Sequence, residues 1–258
     1  LPHEHRPASR LARTTPLYAV LDQFNCEWGT VNGWERALFF KPGTSFVDEH
    51  SYRYTPTKNI VAKEVEGICN GVGIMEVSGF NRFEITGLDS ERFIDRLFCG
   101  NITHKPGRVG LGYLLNDFGM VKSEATIANI PASDRGPNRM WYGSAAASEF
   151  HDMDWLSQHI NPDENVKIKS LTNDQTILIV AGPKAREVIS ACSREDWSKE
   201  AFPWLSVREC FIGFSAATVM SVSFSGELAY EVHIPNSSLY AAYLSLSEVG
   251  KEYGMKLF

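Results

Sequence analysis

Gly73-Ile74-Met75-Glu76-Val77-Ser78-Gly79-Phe80-Asn81-Arg82-Phe83-Glu84-Ile85-Thr86-Gly87, followed by Leu88-Asp89-Ser90-Glu91-Arg92-Phe93-Ile94-Asp95-Arg96-Leu97-Phe98-Cys99-Gly100, decides the reading of this chain. Phe83 to Thr86 alternates apolar and polar residues, the period-two pattern of a half-buried strand. The spacing then changes. Asp89 is placed to cap a helix in which Phe93, Leu97 and Phe98 make one apolar face, and Gly100 is placed to stop it. A strand leading straight into a capped amphipathic helix predicts sheets covered by helices.

Working outward, the same cycle recurs. Strands are expected at Gly112 to Asn116, Glu124 to Ile130 and Met140 to Ala145, then a helix near Ser148 to His159. Thr176-Ile177-Leu178-Ile179-Val180 is a nearly continuous apolar run, suited to a strand covered on both faces. Pro183 fits the first turn of the next helix, where its missing N–H costs nothing. Thr218 to Phe224 and Ala229 to Ile234 read as strands joined by Ser225-Gly226-Glu227, and a last helix from Ser238 to about Tyr253 buries Leu239, Tyr243, Leu246 and Val249. The fold class is α+β, with antiparallel sheets and packed helices. Residues 1–33, with Pro2, Pro7 and Pro16, read as an irregular lead-in from a preceding domain, ending in the aromatic-rich stretch Trp28 to Arg36; residues 34–258 form one module.

Of the 258 residues, 43% are hydrophobic and 22% charged, enough to bury roughly 70–75% of the unfolded surface. The formal charge of −6 is spread along the chain, and no Lys/Arg block offers itself to a phosphate backbone or an anionic membrane, so neither nucleic acid nor membrane is an expected partner. Cys26, Cys69, Cys99, Cys192 and Cys210 are odd in number and widely spaced, which indicates neither a disulfide framework nor a zinc site. No apolar run approaches the roughly 20 residues of a membrane span. A cytoplasmic location follows, or the mitochondrial matrix in a eukaryote. The seven histidines are scattered, so no metal site is expected. Gly-x-Gly-x-x-Gly and Gly-x-Ser-x-Gly are both absent, so any flavin or nicotinamide must be bound elsewhere.

What remains are carboxylates beside glycine-containing turns. Asn116-Asp117-Phe118-Gly119-Met120-Val121 reads as a tight connection that delivers Ser123-Glu124 to the start of a strand, and Ser225 to Glu231 gives a second acidic turn. These turns and the opening stretch resemble motifs of one superfamily. Gly73 to Gly87 is similar to the opening "aspartate-leucine-serine, then phenylalanine-glutamate-valine-x-glycine" of the aminomethyltransferases, and Asp89 to Asn101 to their "phenylalanine-leucine-aspartate-arginine-leucine" helix. Leu114 to Gly119 resembles their "methionine-leucine-asparagine-x-x-glycine-glycine" turn, Val180 to Arg186 their "glycine-proline-x-alanine/serine-arginine" helix start, and Phe224 to Glu231 their "tyrosine-threonine-glycine-glutamate-x-glycine-tyrosine-glutamate" loop. This superfamily includes the glycine-cleavage T-protein and the folate domains of dimethylglycine and sarcosine dehydrogenases. Gly33-Trp34-Glu35-Arg36, Thr15 to Tyr18 and His151 to Leu156 resemble the dehydrogenase branch in particular.

The resemblance implies a T-protein-like folate-binding fold and a tetrahydrofolate-dependent one-carbon transfer. An iminium or formaldehyde derived from a methylated amine would be captured as 5,10-methylenetetrahydrofolate. It implies an FAD-dependent oxidase or dehydrogenase domain as partner, with the FAD outside this chain. It places Glu227 on the pterin edge, where a carboxylate accepts paired N–H bonds, and Phe224, Asn116, Asp117, Phe80 and Tyr230 beside the folate. Glu124 is the candidate catalytic acid, standing with Ser123 where T-protein relatives carry two aspartates. Met120, Phe224 and Ala229 depart from the usual glycine, tyrosine and glycine. The family continues past Gly254-Met255-Lys256 into an arginine-bearing helix and a small β-barrel, which this chain lacks. A second reading keeps the scaffold without the chemistry, as a regulatory or assembly subunit.

Overall fold

The computed structural model describes residues 7–49, 51–77, 79–100 and 104–258. The chain opens with a short helix α1 (Tyr18–Asp22) and a hairpin, β1 (Cys26–Val31) and β2 (Trp34–Phe40), then helix α2 (Thr57–Asn70). Next come β3 (Gly73–Val77), β4 (Asn81–Thr86), α3 (Ser90–Leu97), β5 (Phe98–Cys99), β6 (Arg108–Leu115), β7 (Val121–Ile130), β8 (Arg139–Ser144), α4 (Glu149–Gln158) and β9 (Lys167–Ser170). The remainder is β10 (Gln175–Ala181), α5 (Ala185–Cys192), β11 (Val207–Ile212), β12 (Ser215–Met220), β13 (Ala229–Pro235), α6 (Leu239–Glu252) and β14 (Lys256–Leu257).

Two six-stranded sheets hold the structure, in the orders β11-β12-β13-β10-β3-β14 and β5-β6-β7-β8-β4-β9. All pairings are antiparallel except β14 with β3. Side chains alternate between the faces of each strand. On the first sheet, Leu178, Val180, Val219 and Val232 pack outward into one apolar cluster with α5, α6, α1 and the β1–β2 hairpin. On the second, Phe83, Ile85, Ala125, Ile127 and Tyr142 pack outward against α3 and α4. The opposite faces meet in a third cluster, with Val109, Ala128, Ile130 and Trp141 of the second sheet against Val207 and Met220 of the first. The result is four layers, with sheet against sheet in the middle. Strand β10 is apolar on both faces because both are covered, as its continuous run predicts.

The strands and helices expected around Phe83, Glu124, Met140, Ser148, Thr176, Ala229 and Ser238 are present within a few residues. Several details differ. Asp89 precedes α3 but makes no side-chain cap bond; its Oδ2 instead accepts the N–H of Asn165 at 2.8 Å, tying the helix entry to the loop before β9. Phe98 has left the helix for β5, which is why the helical face ends at Leu97. The strand expected at Thr218 to Phe224 is Ser215–Met220. The division after residue 33 falls inside the β1–β2 turn, where Asn32 (φ 50) and Gly33 (φ 81) take the paired left-handed conformations of a tight hairpin. Leu17, Leu21, Cys26 and Trp28 share one core cluster with the first sheet, so this lead-in from residue 17 packs as part of the module. Ser78 and Asn101, which belong to the quoted motifs, lie outside the described residues.

Gly182, between β10 and α5, sits at φ +120, and a Cβ there would lie 2.5 Å from the Ile68 carbonyl oxygen and 2.6 Å from that of Gly71. Both obstacles are backbone and cannot rotate away. Gly182→Ala is expected to lower stability by roughly 2–4 kcal/mol, read as a lower denaturant midpoint at unchanged slope.

Candidate functional site

The inter-sheet layer is buried along part of its length and grows accessible, as a shallow cleft, toward Glu124. Along β7 the residues facing the first sheet become steadily more accessible: Ala128 is buried, Thr126 half-buried and Glu124 exposed. Glu124 thus stands at the mouth, four residues or about 13 Å along the strand from Ala128. On β13 of the opposite sheet, His233 is buried against Trp141, ring to ring at 4.9 Å and nearly perpendicular. Glu231, two residues away on the same face, has 31% of its side chain exposed. Trp141 lies flat along its sheet because residue 143 is glycine: a Cβ there would come within 2.2 Å of the indole.

The floor of this cleft is polar and incompletely satisfied. His233 Nε2 lies 3.2 Å from Glu231 Oε2, while His233 Nδ1 and Trp141 Nε1 are buried without a protein partner. Arg82 is 1% exposed. Its Nη2 donates to the Thr172 carbonyl at 2.7 Å, but Nε and Nη1 have no partner. Glu231, Glu76 and Glu149 all contribute attraction to its charge. Buried polar atoms left open in this way mark places where water or a ligand completes the bonding. The three buried cysteines are not activated thiols: Cys26, Cys192 and Cys210 are pushed up to about 12, 11 and 12 by desolvation.

Behind Glu124 the strand is anchored. Ser123 points to the helical side and donates to Asp152 Oδ2 at 3.0 Å. The same oxygen accepts from Tyr142 Oη and Ser144 Oγ, each at 2.5 Å.

Of the residues expected at the site, the structure brings Glu124 to the cleft. Glu227 lies on the β12–β13 turn, where the Ser225 hydroxyl holds its carboxyl below the usual glutamate range. Phe224 is fully exposed beside it. Asn116 Oδ1 is occupied, accepting the N–H groups of Phe118 and Met120 at 3.0 and 2.9 Å, so its side chain builds the β6–β7 turn. Asp117 is exposed at the tip of that turn, and Phe80, 42% exposed, lies on the β3–β4 connection. Tyr230 is 0% exposed and faces away from the cleft, packed against Trp197 and Phe202. Sequence reasoning did not single out Glu231, His233, Trp141, Arg82 or Asp152. Period-two alternation from Ala229 put Glu231 and His233 on one face and Tyr230 on the other, and that signal was available.

The family profile described as the GCVT N-terminal domain matches residues 17–258. The chain belongs to this family. As a GCVT N-terminal domain it superposes on the glycine cleavage system aminomethyltransferase T of Bartonella henselae with a TM-score of 0.74 at 17% identity, covering 95% of this chain and 59% of that one, which shows the fold. It is 30% identical to mitochondrial dimethylglycine dehydrogenase of Rattus norvegicus over 260 residues, spanning 100% of this chain and 30% of that protein. It is 27% identical to the mitochondrial pyruvate dehydrogenase phosphatase regulatory subunit of Mus musculus over 254 residues, 96% of this chain and 28% of that protein. The chain thus spans less than a third of the length of these curated relatives. Among the described residues, no helix is long and apolar enough to cross a membrane.

Glu76 and Arg82, either side of the β3–β4 connection, show how dry this region is. Burial pushes the Glu76 carboxyl up to about 8, against the attraction of Arg82 and Arg36. The same burial brings the Arg82 guanidinium down to about 10. Between about 4.5 and about 8 the folded state keeps the Glu76 proton that the unfolded chain releases, so this group withdraws stability as pH rises across that window. Glu76→Gln is expected to flatten the fall in unfolding midpoint between pH 5 and pH 8, measured by thermal denaturation at both.

Proposed function

We propose that this chain is the tetrahydrofolate-dependent one-carbon-accepting module of an amine-demethylating enzyme related to dimethylglycine dehydrogenase. The observation that carries the reading is the pair of carboxylates, Glu124 and Glu231, facing one cleft from opposite sheets. The cleft suits a pterin. Glu231 supplies a half-buried acceptor, and the unpartnered Trp141 Nε1 and His233 Nδ1 lie on the adjacent floor. Such a carboxylate accepts two parallel N–H bonds, short and orienting, in surroundings of low dielectric. Glu231 suits the pterin edge better than Glu227 because it leaves β13 toward the facing sheet, whereas Glu227 lies on the turn before that strand.

Tetrahydrofolate, when bound, supplies the N5 and N10 nitrogens that capture the one-carbon unit as 5,10-methylenetetrahydrofolate. The protein's part is positioning and proton handling. Glu231 and His233 orient the ring edge, and Phe224 with Phe80 at the rim offers aromatic surface. Glu124, making no hydrogen bond with a described residue, is free to take a proton at its carboxylate or return it. The iminium or formaldehyde would come from oxidation of a methylated amine by an FAD-dependent domain outside this chain. A mitochondrial matrix location or a cytoplasmic one accords with this chemistry, and the dimethylglycine dehydrogenase of rat is named as mitochondrial.

Calorimetric titration of tetrahydrofolate into the complete protein tests the assignment. Glu231→Gln is expected to weaken binding by about tenfold or more, since a charge-assisted pair becomes mismatched. Glu227→Gln should stay within about threefold. Glu124→Gln should bind normally yet form product about 10²-fold more slowly. No binding to the complete wild-type protein would sink the transferase reading and leave a regulatory role, as the name of the mouse relative has it.

A further inference from the structure

We propose that Asp152 is the positioning residue for Glu124, fixing from behind the strand the direction in which that carboxylate enters the cleft; this rests on the assignment of Glu124 as the proton-handling group. Asp152 is 0% exposed. Its Oδ2 gathers donors from three neighbouring strands: Ser123 of β7 at 3.0 Å, Tyr142 and Ser144 of β8 at 2.5 Å each, and Asn81 of β4 at 3.4 Å. Its Oδ1 lies 3.0 Å from Nδ1 of the partly exposed His151. Asn81 closes the ring, its Oδ1 accepting the Ser144 N–H at 2.7 Å. Three hydroxyls converge on that one oxygen, and the buried Tyr142 phenol among them is held above its ordinary range by desolvation and by its bond to Asp152.

Two further observations make this more than a satisfied core acid. The hub breaks an apolar layer of Phe83, Ile85, Ala125, Ile127 and Leu156, where a well-packed hydrophobic residue would serve stability as well or better. It does so directly behind the residue that precedes Glu124. In addition, the β6–β7 ladder changes register just there: Leu114 pairs with Ser123 and Leu115 with Val121, leaving Lys122 as the extra residue. The pairing is regular from Asn129 to Ser123, with Glu124 opposite Tyr113, and breaks one residue beyond, so Glu124 stands two residues from a bulge that locally disrupts the ladder. Anchoring Ser123 on the helical side holds the last regular pair, and with it Glu124, against that disruption.

The test combines kinetics with amide hydrogen exchange in the complete protein. Asp152→Asn should lower kcat for one-carbon transfer by about 10- to 100-fold while KM for tetrahydrofolate stays within about twofold, the pattern of a misplaced reacting group. Acting through Glu124, it should slow a Glu124→Gln background no further. In the ligand-free protein, the amides of Ser123, Glu124 and Ala125 should exchange at least about tenfold faster in Asp152→Asn, with those of β10 and β13 unchanged. If Asp152→Asn does not fold, Ser123→Ala, which leaves Asp152 its other donors, should cost about threefold or more in kcat, again only when Glu124 is present. Unchanged kcat per folded molecule, or losses that multiply in the double variant, would overturn the positioning role. A full rate in Glu124→Gln would instead remove the assignment beneath it, and both fall together.

Discussion

The two large sheets pack face to face through one apolar cluster, and the rest of the molecule follows from that contact. There Val109, Ala128, Ile130 and Trp141 meet Val207 and Met220. Backbone bonds stitch the sheets there as well: the Val109 N–H donates to the Leu205 carbonyl, and the Val207 N–H to that of Gly107, each at 2.9 Å. Arg139 bridges the layer, with Glu84 of its own sheet at 2.8 Å and Glu209 of the other at 2.5 Å. Farther along the same faces the strands present the exposed Glu124 and the partly exposed Glu231.

Helices cover the outward faces, so the polar groups in the cleft cannot be satisfied from behind. Arg82, His233 and Trp141 keep buried atoms without partners, a cost in the isolated protein that becomes recognition when a ligand supplies the missing acceptors and donors. Asp152 is the opposite case, a buried carboxyl group whose Oδ2 is met by three neighbouring hydroxyls. One set of buried groups is left open toward the cleft, and the other is closed toward the core.

Much of the fold was legible because its period was clean. The alternation at Phe83 to Thr86, the double-sided apolar run at Thr176 to Val180 and the heptad-like spacing of Leu239, Tyr243 and Leu246 each named an element correctly. Helix α2 carries its own signal in Val61, Val65 and Ile68, spaced as one helical face, although in Thr57–Asn70 only Ile68 is buried. The β1–β2 hairpin was passed over as irregular although Asn32-Gly33 between Val31 and Trp34 is a strong two-residue hairpin signal. Its aromatic residues looked like loop composition until Trp28 was seen packed into the core.

The site divides along the same line. Sequence by itself determined the family motifs, the α+β layering and the carboxylate on β7, because motif spacing and side-chain period are local properties. It could not show that Glu231, four residues beyond Glu227 in one motif, leaves β13 toward the facing sheet while Glu227 lies on the turn before that strand. Nor could it show Asp152 behind Ser123, 29 residues distant, or His233 against Trp141, 92 residues apart. Those contacts exist only after two sheets and a helix have packed, and only that packing removes the water that would otherwise make each of these side chains ordinary.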